Sequence, residues 1–434
     1  MIIIIEDKLI MIKELESISS FDIAVIGGGP AGMIAAGKAA ELGAKVILIE
    51  KNKSLGKKLL ITGGGRCNIS QAEFKDKVFA DKLGKNGQFL LSALSVFGPK
   101  ETIEFFEKKG LKTKIERGKR IFPVSDKSHD VLNVLSKYLN KNKVKIISDQ
   151  EIIGFNVVKG RIKSVKLKDK EIFAHSYILA TGGKSYPGTG SDGRGYKWAK
   201  KMGHKIIDLK PALTPIKIKE NWSSDLQGLS LKNVSVSVFQ NNKKQDLRFG
   251  EMLFTHFGVS GPIIIDLSKK IGELLNTGEV ILKIDLKPAL DFKTLDKRLQ
   301  NDFKSNKDFK NYLPSLLPRK MGDLILSLTN IDKNKKLNSI TKDERKKIID
   351  TLKGLNLTVK NLVGFNLSIV TSGGIDLKEI DSKTMKSKII ENLYFAGEII
   401  DLDGPTGGYN LQICWTTGYV AGIGASVLLH DYGI

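Results

Sequence analysis

Few side chains in this 434-residue chain are suited to moving protons or electrons on their own. Of the five histidines, only His256 stands in a glycine-rich loop, in the run FTHFGVSGP. Histidine is the side-chain type best suited to acid–base work near neutral pH. The other four, His129, His175, His204 and His430, sit in ordinary polar contexts. Two cysteines, Cys67 and Cys414, are too few for a disulfide framework or a zinc site, and fit a reducing cytoplasm. No set of histidines and carboxylates has metal-ligand spacing. What the chain clusters instead is glycine: at 27–29 and 32, at 63–65 just before Arg66-Cys67-Asn68, at 182–183 and at 407–408. Glycine loses the most backbone freedom on folding, so such runs mark places where something must come very close to the main chain. The chemistry this supports is tight binding of a group that itself carries the reaction.

The elements around these glycines say what is bound. Ile23–Ile26 is a short apolar run that leads into Gly27-Gly28-Gly29-Pro30-Ala31-Gly32, a match to GxGxxG. An alanine-rich helical pattern follows to Leu42, and Lys45–Ile49 then reads as a second strand ending in Glu50. This is a βαβ dinucleotide-binding unit with an acid at the tip of its second strand. Gly27 permits the tight turn, Gly29 lets backbone approach a pyrophosphate, and Gly32 allows close packing. The free N–H groups and positive dipole end of the helix face the phosphates, and Glu50 accepts from the adenosine ribose. Two further strands end in close-approach glycines. Tyr177–Ala180 runs into Thr181-Gly182-Gly183. Leu393–Phe395 runs into Gly397-Glu398, and Gly407-Gly408 then opens a helix at Tyr409-Asn410. A cofactor that needs a C-terminal segment to complete its site is long, as FAD is.

With these stretches in hand the chain resembles the HI0933-like, or BaiN-like, flavoproteins of the two-dinucleotide-binding-domain superfamily. The likeness rests on VIGGGPAG, GKKLLITGGGRCNIS, RIFPVSDKSHDVL, LATGGKSYPGTGSDGRGY, FTHFGVSGP and FAGEIIDLDGPTGGYNLQ, which span Phe21 to the C-terminus. TGGGRCN together with DGPTGGYN is specific to that family. The resemblance implies a glutathione-reductase-type FAD domain whose loop after the second strand runs beside the flavin. Gly63, Gly64 and Gly65 would then let main chain pass the pyrophosphate or isoalloxazine, Arg66 would bring charge, and Asn68 would bond the ring edge. Cys67 reads as a small packing residue, because disulfide reductases use a cysteine pair and it has no nearby partner. The helix from Gly408 would aim its positive end at the flavin N1–C2=O side, with Asn410 as a partner. Lys51, Lys58, Ile152 and Leu411 complete the expected cofactor set. For the proton opposite flavin N5 the candidates are His256, Tyr186 and Tyr409; the competing role for His256 is to cap its loop. Arg117 and Arg120 would hold an anionic substrate or serve at a surface. Asp401 and Asp403 belong to the FAD loop, not to a metal.

The rest of the chain reads as an insertion. From about Lys205, short alternating runs such as SVSVFQNNKKQ and EVILKIDLKP signal a small antiparallel sheet or barrel. Residues 290–355 are lysine-rich and helical in period. The expected organisation is an N-terminal extension over 1–20, a discontinuous α/β, Rossmann-like FAD domain over 21–204 and 365–434, and an inserted domain over 205–364, β-rich to 289 and then helical. GTGSDG at 188–193 fits GxGxxG by accident, since it lies in a loop and closes no βαβ unit. The extension MIIIIEDKLIMIKELESISS lacks the basic start of a signal peptide. The uncharged stretch from Gly404 to Leu429 begins with Gly, Pro, Thr and Asn, so it reads as a buried loop entering a core helix, not a membrane span.

The net charge of +23 invites a nucleic-acid reading, but only nine of the 70 basic residues are arginines (66, 117, 120, 161, 194, 248, 298, 319 and 345) and the lysines are scattered. The leading expectation is an FAD-dependent oxidoreductase that exchanges hydride with a small organic substrate. By the resemblance this is C=C reduction of steroid-like molecules or amine oxidation, with NADH or NADPH as transient reductant. The alternatives are a flavoprotein acting on tRNA or other RNA, and a non-enzymatic FAD-binding redox sensor.

Overall fold

The structure is a computed structural model that describes residues 21–431; the extension expected over 1–20 lies outside the described residues. The chain forms two compact units, one containing the residues up to Lys210 and from Ile369 onward, the other Pro211–Ser368.

The first unit is built on a sheet whose central strands are continuous apolar runs, the pattern of strands buried on both faces. β1 (Phe21–Ile26) and β2 (Val46–Ile49) pair in parallel, Ile23 against Val46 through Ile26 against Ile49. All four residues of β2 are buried. Between them runs a helix, Pro30–Glu41, with proline at its first turn and alanine and glycine along its buried side. β3 (Ser70–Gln71), β4 (Thr113–Glu116) and β5 (Arg120–Pro123) make a separate antiparallel sheet in the order β3-β5-β4. β6 (Lys145–Ile147) joins β2 in parallel. β7 (Ile152–Val158) and β8 (Arg161–Leu167) form an antiparallel extension that reaches β9 (Glu171–Leu179). The C-terminal half of β9 lies parallel to β1, with Ile26 opposite Leu179.

The chain leaves this unit after β10 (Ile206–Ala212). The second unit closes six strands into a barrel: β11 (Ile216–Ile218), β12 (Ser230–Gln240), β13 (Lys243–Thr255), β14 (Gly258–Ser260), β15 (Ile281–Asp285) and β16 (Leu355–Leu362), in the order β11-β14-β13-β12-β15-β16. Alternation decides its interior: Val234, Val236 and Val238 point in and are buried, while Ser235 and Ser237 face out. Four helices, Phe292–Asp302, Phe309–Leu316, Arg319–Thr329 and Lys342–Lys353, follow β15 and pack their apolar sides on the same core.

The chain re-enters the first unit at β17 (Val370–Ile375), which pairs with β10, and adds β18 (Leu393–Phe395) in parallel beside β9. It ends in the helix Tyr409–Asp431. The parallel part of the sheet therefore runs β6-β2-β1-β9-β18. Connections from β1 lead to opposite sides, to β2 through the first helix and onward to β9, so the switch point lies at the carboxyl end of β1. That is where open α/β sheets bind ligands. Among the described residues no helix is long and apolar enough to cross a membrane.

Candidate functional site

Glycine geometry separates the residues that the fold itself requires from those it does not. Gly27 has φ +104°, and a Cβ there would stand 2.5 Å from the carbonyl oxygen of Ala180 at the end of β9. At Gly32 a Cβ would stand 1.8 Å from the Gly27 carbonyl oxygen. Both glycines are therefore demanded by packing, Gly27 against the end of β9 and Gly32 within the turn itself. Gly29 is different: its φ is an ordinary −80°, and a Cβ there would meet nothing within 4 Å. It caps the first helix, with Pro30 next and no side chain bonded to the helix end. The orphan N–H groups of that first turn are thus left to a ligand or solvent, and a diphosphate fits the space a side chain would fill. Glu50 is buried, and its Oε2 accepts from the Gly28 N–H at 2.7 Å, while Oε1 accepts from both nitrogens of Asn52 at 2.7 Å. The carboxylate fixes the turn and keeps lone pairs for a ribose.

Around this turn the ends of β9 and β18 are tied together. Glu398 accepts from Lys58 Nζ at 2.7 Å, from the Thr371 N–H at 2.9 Å and from Ser185 Oγ at 3.0 Å. A Cβ on Gly183 would stand 2.4 Å from the same carboxylate. Gly397, at φ +80°, lies against Ala31 of the first helix and donates its N–H to Thr417 Oγ1 at 2.9 Å. Lys51 pairs with Asp192 at 2.7 Å, and Asn52 Nδ2 donates to the Thr189 carbonyl at 3.1 Å. The GTGSDG run, which closes no βαβ unit, thereby packs on the tip of β2. Gly182 has φ +72°, and the hydroxyl of Thr181 is buried without a partner. Ile152 opens β7 and sits in the apolar core, with Leu411 packed half-buried against that core.

The segment after the Lys57–Ile61 helix explains its three glycines by conformation. Gly63, Gly64 and Gly65 have φ of +57°, +66° and +86°, a left-handed run that residues with a Cβ rarely adopt. Cys67 follows, also left-handed at φ +61° and buried. Burial pushes its thiol up to about 12, against a smaller opposing hydrogen bond with Thr62. It is a protonated packing group, with no thiolate for redox work. Arg66 does not present a free charge. Its guanidinium stacks 4.0 Å over Phe122, donates from Nε to Asp126 at 2.8 Å, and reaches Glu116 at 2.5 Å. Arg66 holds the Glu116 carboxyl below its ordinary range, and Lys114, then Arg66, do the same for Asp126.

Segments more than 300 residues apart in sequence meet here. A Cβ on Gly408, at φ +105°, would stand 2.3 Å from the Ser70 carbonyl oxygen, so the Gly407-Gly408 loop lies directly on β3. Ser70 Oγ donates to Gln412 Oε1 at 2.5 Å, and Trp415 Nε1 donates to the Ile69 carbonyl at 2.9 Å. Gln412 Nε2 is spent on Thr102 and Thr416. Asn410, expected at the flavin ring, instead folds back on its own loop. Its Nδ2 donates to the Gly404 carbonyl at 2.8 Å and its Oδ1 accepts the Gly404 N–H at 2.9 Å. It orders the loop that precedes the helix. Tyr409 is buried beside Phe79 at 4.8 Å, and burial, with Glu73 adding to it, raises its phenol above the ordinary value.

Two acceptors on this segment have no partner. Asn68 Oδ1 and Gln71 Oε1 are buried with no hydrogen bond in the protein, an arrangement that costs roughly 1–3 kcal/mol unless a ligand or water supplies a donor. Gln71 was missed from sequence. It follows directly on the recognised stretch ending at Ser70, and only the contact between β3 and the C-terminal loop gives it significance.

His256 is exposed on the β13–β14 turn of the barrel unit, its ring edge-on to Phe257 at 4.8 Å. His204 corrects the expectation of an ordinary polar setting. Its side chain is buried under Phe395, with Nδ1 3.0 Å from Glu379 and Nε2 3.0 Å from Ser387 Oγ. The order resembles a hydrolytic triad. However, Ser387 Oγ also accepts the N–H groups of Ile389 and Ile390 at 3.0 and 2.8 Å, so the group staples a turn together. Asp401 and Asp403 bond Asn86 and Ser372, and among the described residues no group of three or more His, Cys, Asp or Glu could hold a metal.

Comparison with known proteins matches residues 21–424 to a family model described as the HI0933-like protein Rossmann domain. A 3-dehydro-bile acid delta(4,6)-reductase of Clostridium scindens is 32% identical over 410 residues, covering 93% of this chain and 98% of the relative. A ribosomal RNA dihydrouridine synthase of Escherichia coli is 28% identical, covering 92% of this chain and 96% of the relative. Among solved structures, a 3-ketosteroid-delta4-(5alpha)-dehydrogenase from Rhodococcus jostii RHA1 aligns with a TM-score of 0.52 at 16% identity, covering 94% of this chain and 96% of that one. At that identity the likeness is one of fold alone.

Proposed function

The chain belongs to the HI0933-like family and is an FAD-dependent oxidoreductase; from that premise we propose that it adds hydrogen across a carbon–carbon double bond conjugated to a carbonyl. The observation that carries this is the relatives' chemistry. A delta(4,6)-reductase and a dihydrouridine synthase, each matched over more than nine-tenths of the chain, both by name saturate such a bond. Amine oxidation is the weaker reading for that reason.

In this reading Gly29 and the first helix turn take the FAD diphosphate, and Glu50 takes the ribose. The 63–68 run and the Gly407-Gly408 loop line the ring. When bound, FAD supplies hydride to the substrate carbon, with NADH or NADPH as the reductant. The helix starting at Tyr409 would set its N-terminal dipole toward the ring end where negative charge accumulates. The buried Tyr409 beside the Gly407-Gly408 loop would be the proton donor to the substrate carbon, although burial raises its phenol above the ordinary value and so weakens it as an acid; Tyr186 is the alternative within the same unit.

The test is anaerobic. Protein reduced by NADPH is mixed with a 3-keto-4-ene steroid, and flavin reoxidation is followed optically. Reoxidation with formation of the saturated ketone supports a small-molecule substrate. A second reading, reduction of uracil in RNA, has specific support in the dihydrouridine synthase relatives. It predicts reoxidation by RNA and not by steroid. Failure of NADH and NADPH to reduce the flavin would favour the sensor alternative.

A further inference from the structure

Gln71 is a buried group whose hydrogen-bonding capacity the fold leaves half unused. The residue is 7% exposed. Its Nε2 donates to the Gly118 carbonyl at 2.9 Å, which fixes the orientation of the amide, since turning it over would set two oxygens face to face. The other end, Oε1, is buried and has no partner. It stands 3.1 Å from where a Cβ on Gly407 would lie, with the Tyr409 ring next to the same point. β3 cannot move it away, because Ser70 is locked to Gln412 and its carbonyl lies under Gly408. A fixed acceptor is thus aimed at the Gly-Gly loop ahead of a long helix, and its complement is a hydrogen-bond donor on whatever that loop holds.

We infer that Gln71 Oε1 receives the imide N3–H of the FAD isoalloxazine, and so sets which edge of the ring faces the C-terminal loop. The inference rests on the FAD reading above. The ring presents C2=O and N3–H side by side. A helix N-terminus suits the first, as an acceptor, and an amide oxygen suits the second, as a donor. Gln71 is a positioning residue here: it holds the ring and touches no reacting atom. Asn68 Oδ1, the other orphan on this run, offers an acceptor three residues earlier.

The experiment titrates apoprotein with FAD and with 3-methyl-FAD, which lacks the N3 proton, in the wild type and in Gln71→Leu. One hydrogen bond to a buried acceptor is expected to make wild type prefer FAD by about tenfold. Gln71→Leu should bind the two flavins within about twofold of each other, a readout that a merely structural role would not move. Should the leucine variant fail to fold, Gln71→Asn, which keeps the amide but withdraws it by one methylene, takes its place with a reduced preference expected. A wild type that holds both flavins equally overturns the assignment, as does a variant that keeps the full preference. A wild type that binds neither flavin instead overturns the FAD reading on which the assignment rests.

Discussion

At the scale of single residues, the glycines of one motif do separate jobs, and substitution should separate them. Gly29→Val sets its Cβ where no protein atom lies within 4 Å, so the apoprotein should lose only about 1 kcal/mol, the usual penalty for a poor helix cap. Its FAD affinity should nevertheless fall by roughly a hundredfold or more as the phosphate cradle fills. Gly32→Val collides with the Gly27 carbonyl and should cost about 3 kcal/mol or more, whether or not FAD is present. Thermal melts and flavin titrations of the two variants check both statements. Cys67 supplies a further test: with its thiol pushed to about 12, it should resist a thiol reagent at pH 8 in the native protein and react only after denaturation. The spacing of GxGxxG and the acid at Glu50 were legible in sequence because each is fixed by local backbone need. The true settings of Arg66 and Asn410 were not. Arg66 is claimed by Glu116 and Asp126, 50 and 60 residues away, and Asn410 by a carbonyl of its own loop, pairings that depend on the folded path of the chain.

At the scale of elements, two contacts position the site. The first helix and the C-terminal helix pack through small residues: a Cβ on Gly418 would stand 2.4 Å from the Ala31 carbonyl, and one on Gly422 2.6 Å from that of Ala35. Gly418→Ala should therefore lower stability by about 1–3 kcal/mol, measured by denaturant unfolding, since neither helix backbone can withdraw. The staple at His204 belongs to this scale as well. Burial lowers its pKa below the ordinary value, outweighing the neighbouring Glu379. The unfolded chain takes up a proton near pH 6.5 that the folded chain takes up only at lower pH. The stability tied to this group is therefore complete above about pH 6.5 and lost as pH falls through the folded pKa. A plot of Tm against pH should slope less steeply in that window for His204→Gln than for wild type. Strands ending in glycine could be read from sequence because apolar runs bounded by Gly are strand signals. The β3–β5–β4 sheet that carries Gln71 could not, since β3 has only two residues and exists through its partners.

At the scale of the whole molecule, an α/β unit interrupted by a barrel-and-helix unit accounts for the change in sequence character near residue 205 and the return near 365. Composition alone did not decide the substrate. A charge of +23 spread over scattered lysines suits a solvated surface as well as a polyanion. If RNA is the substrate, binding should weaken steeply between low and moderate salt, with log affinity falling linearly against log salt; steroid turnover should be nearly insensitive to the same change. The central claim is that glycine-lined main chain from both ends of the sequence encloses one FAD. Its most direct test is a structure of the FAD-loaded protein. We predict the diphosphate over Gly29 at the start of the first helix, the ribose at Glu50, and the isoalloxazine against Gly407 and Gly408. A flavin seated elsewhere, with no contact to the 27–32 turn, would contradict the account.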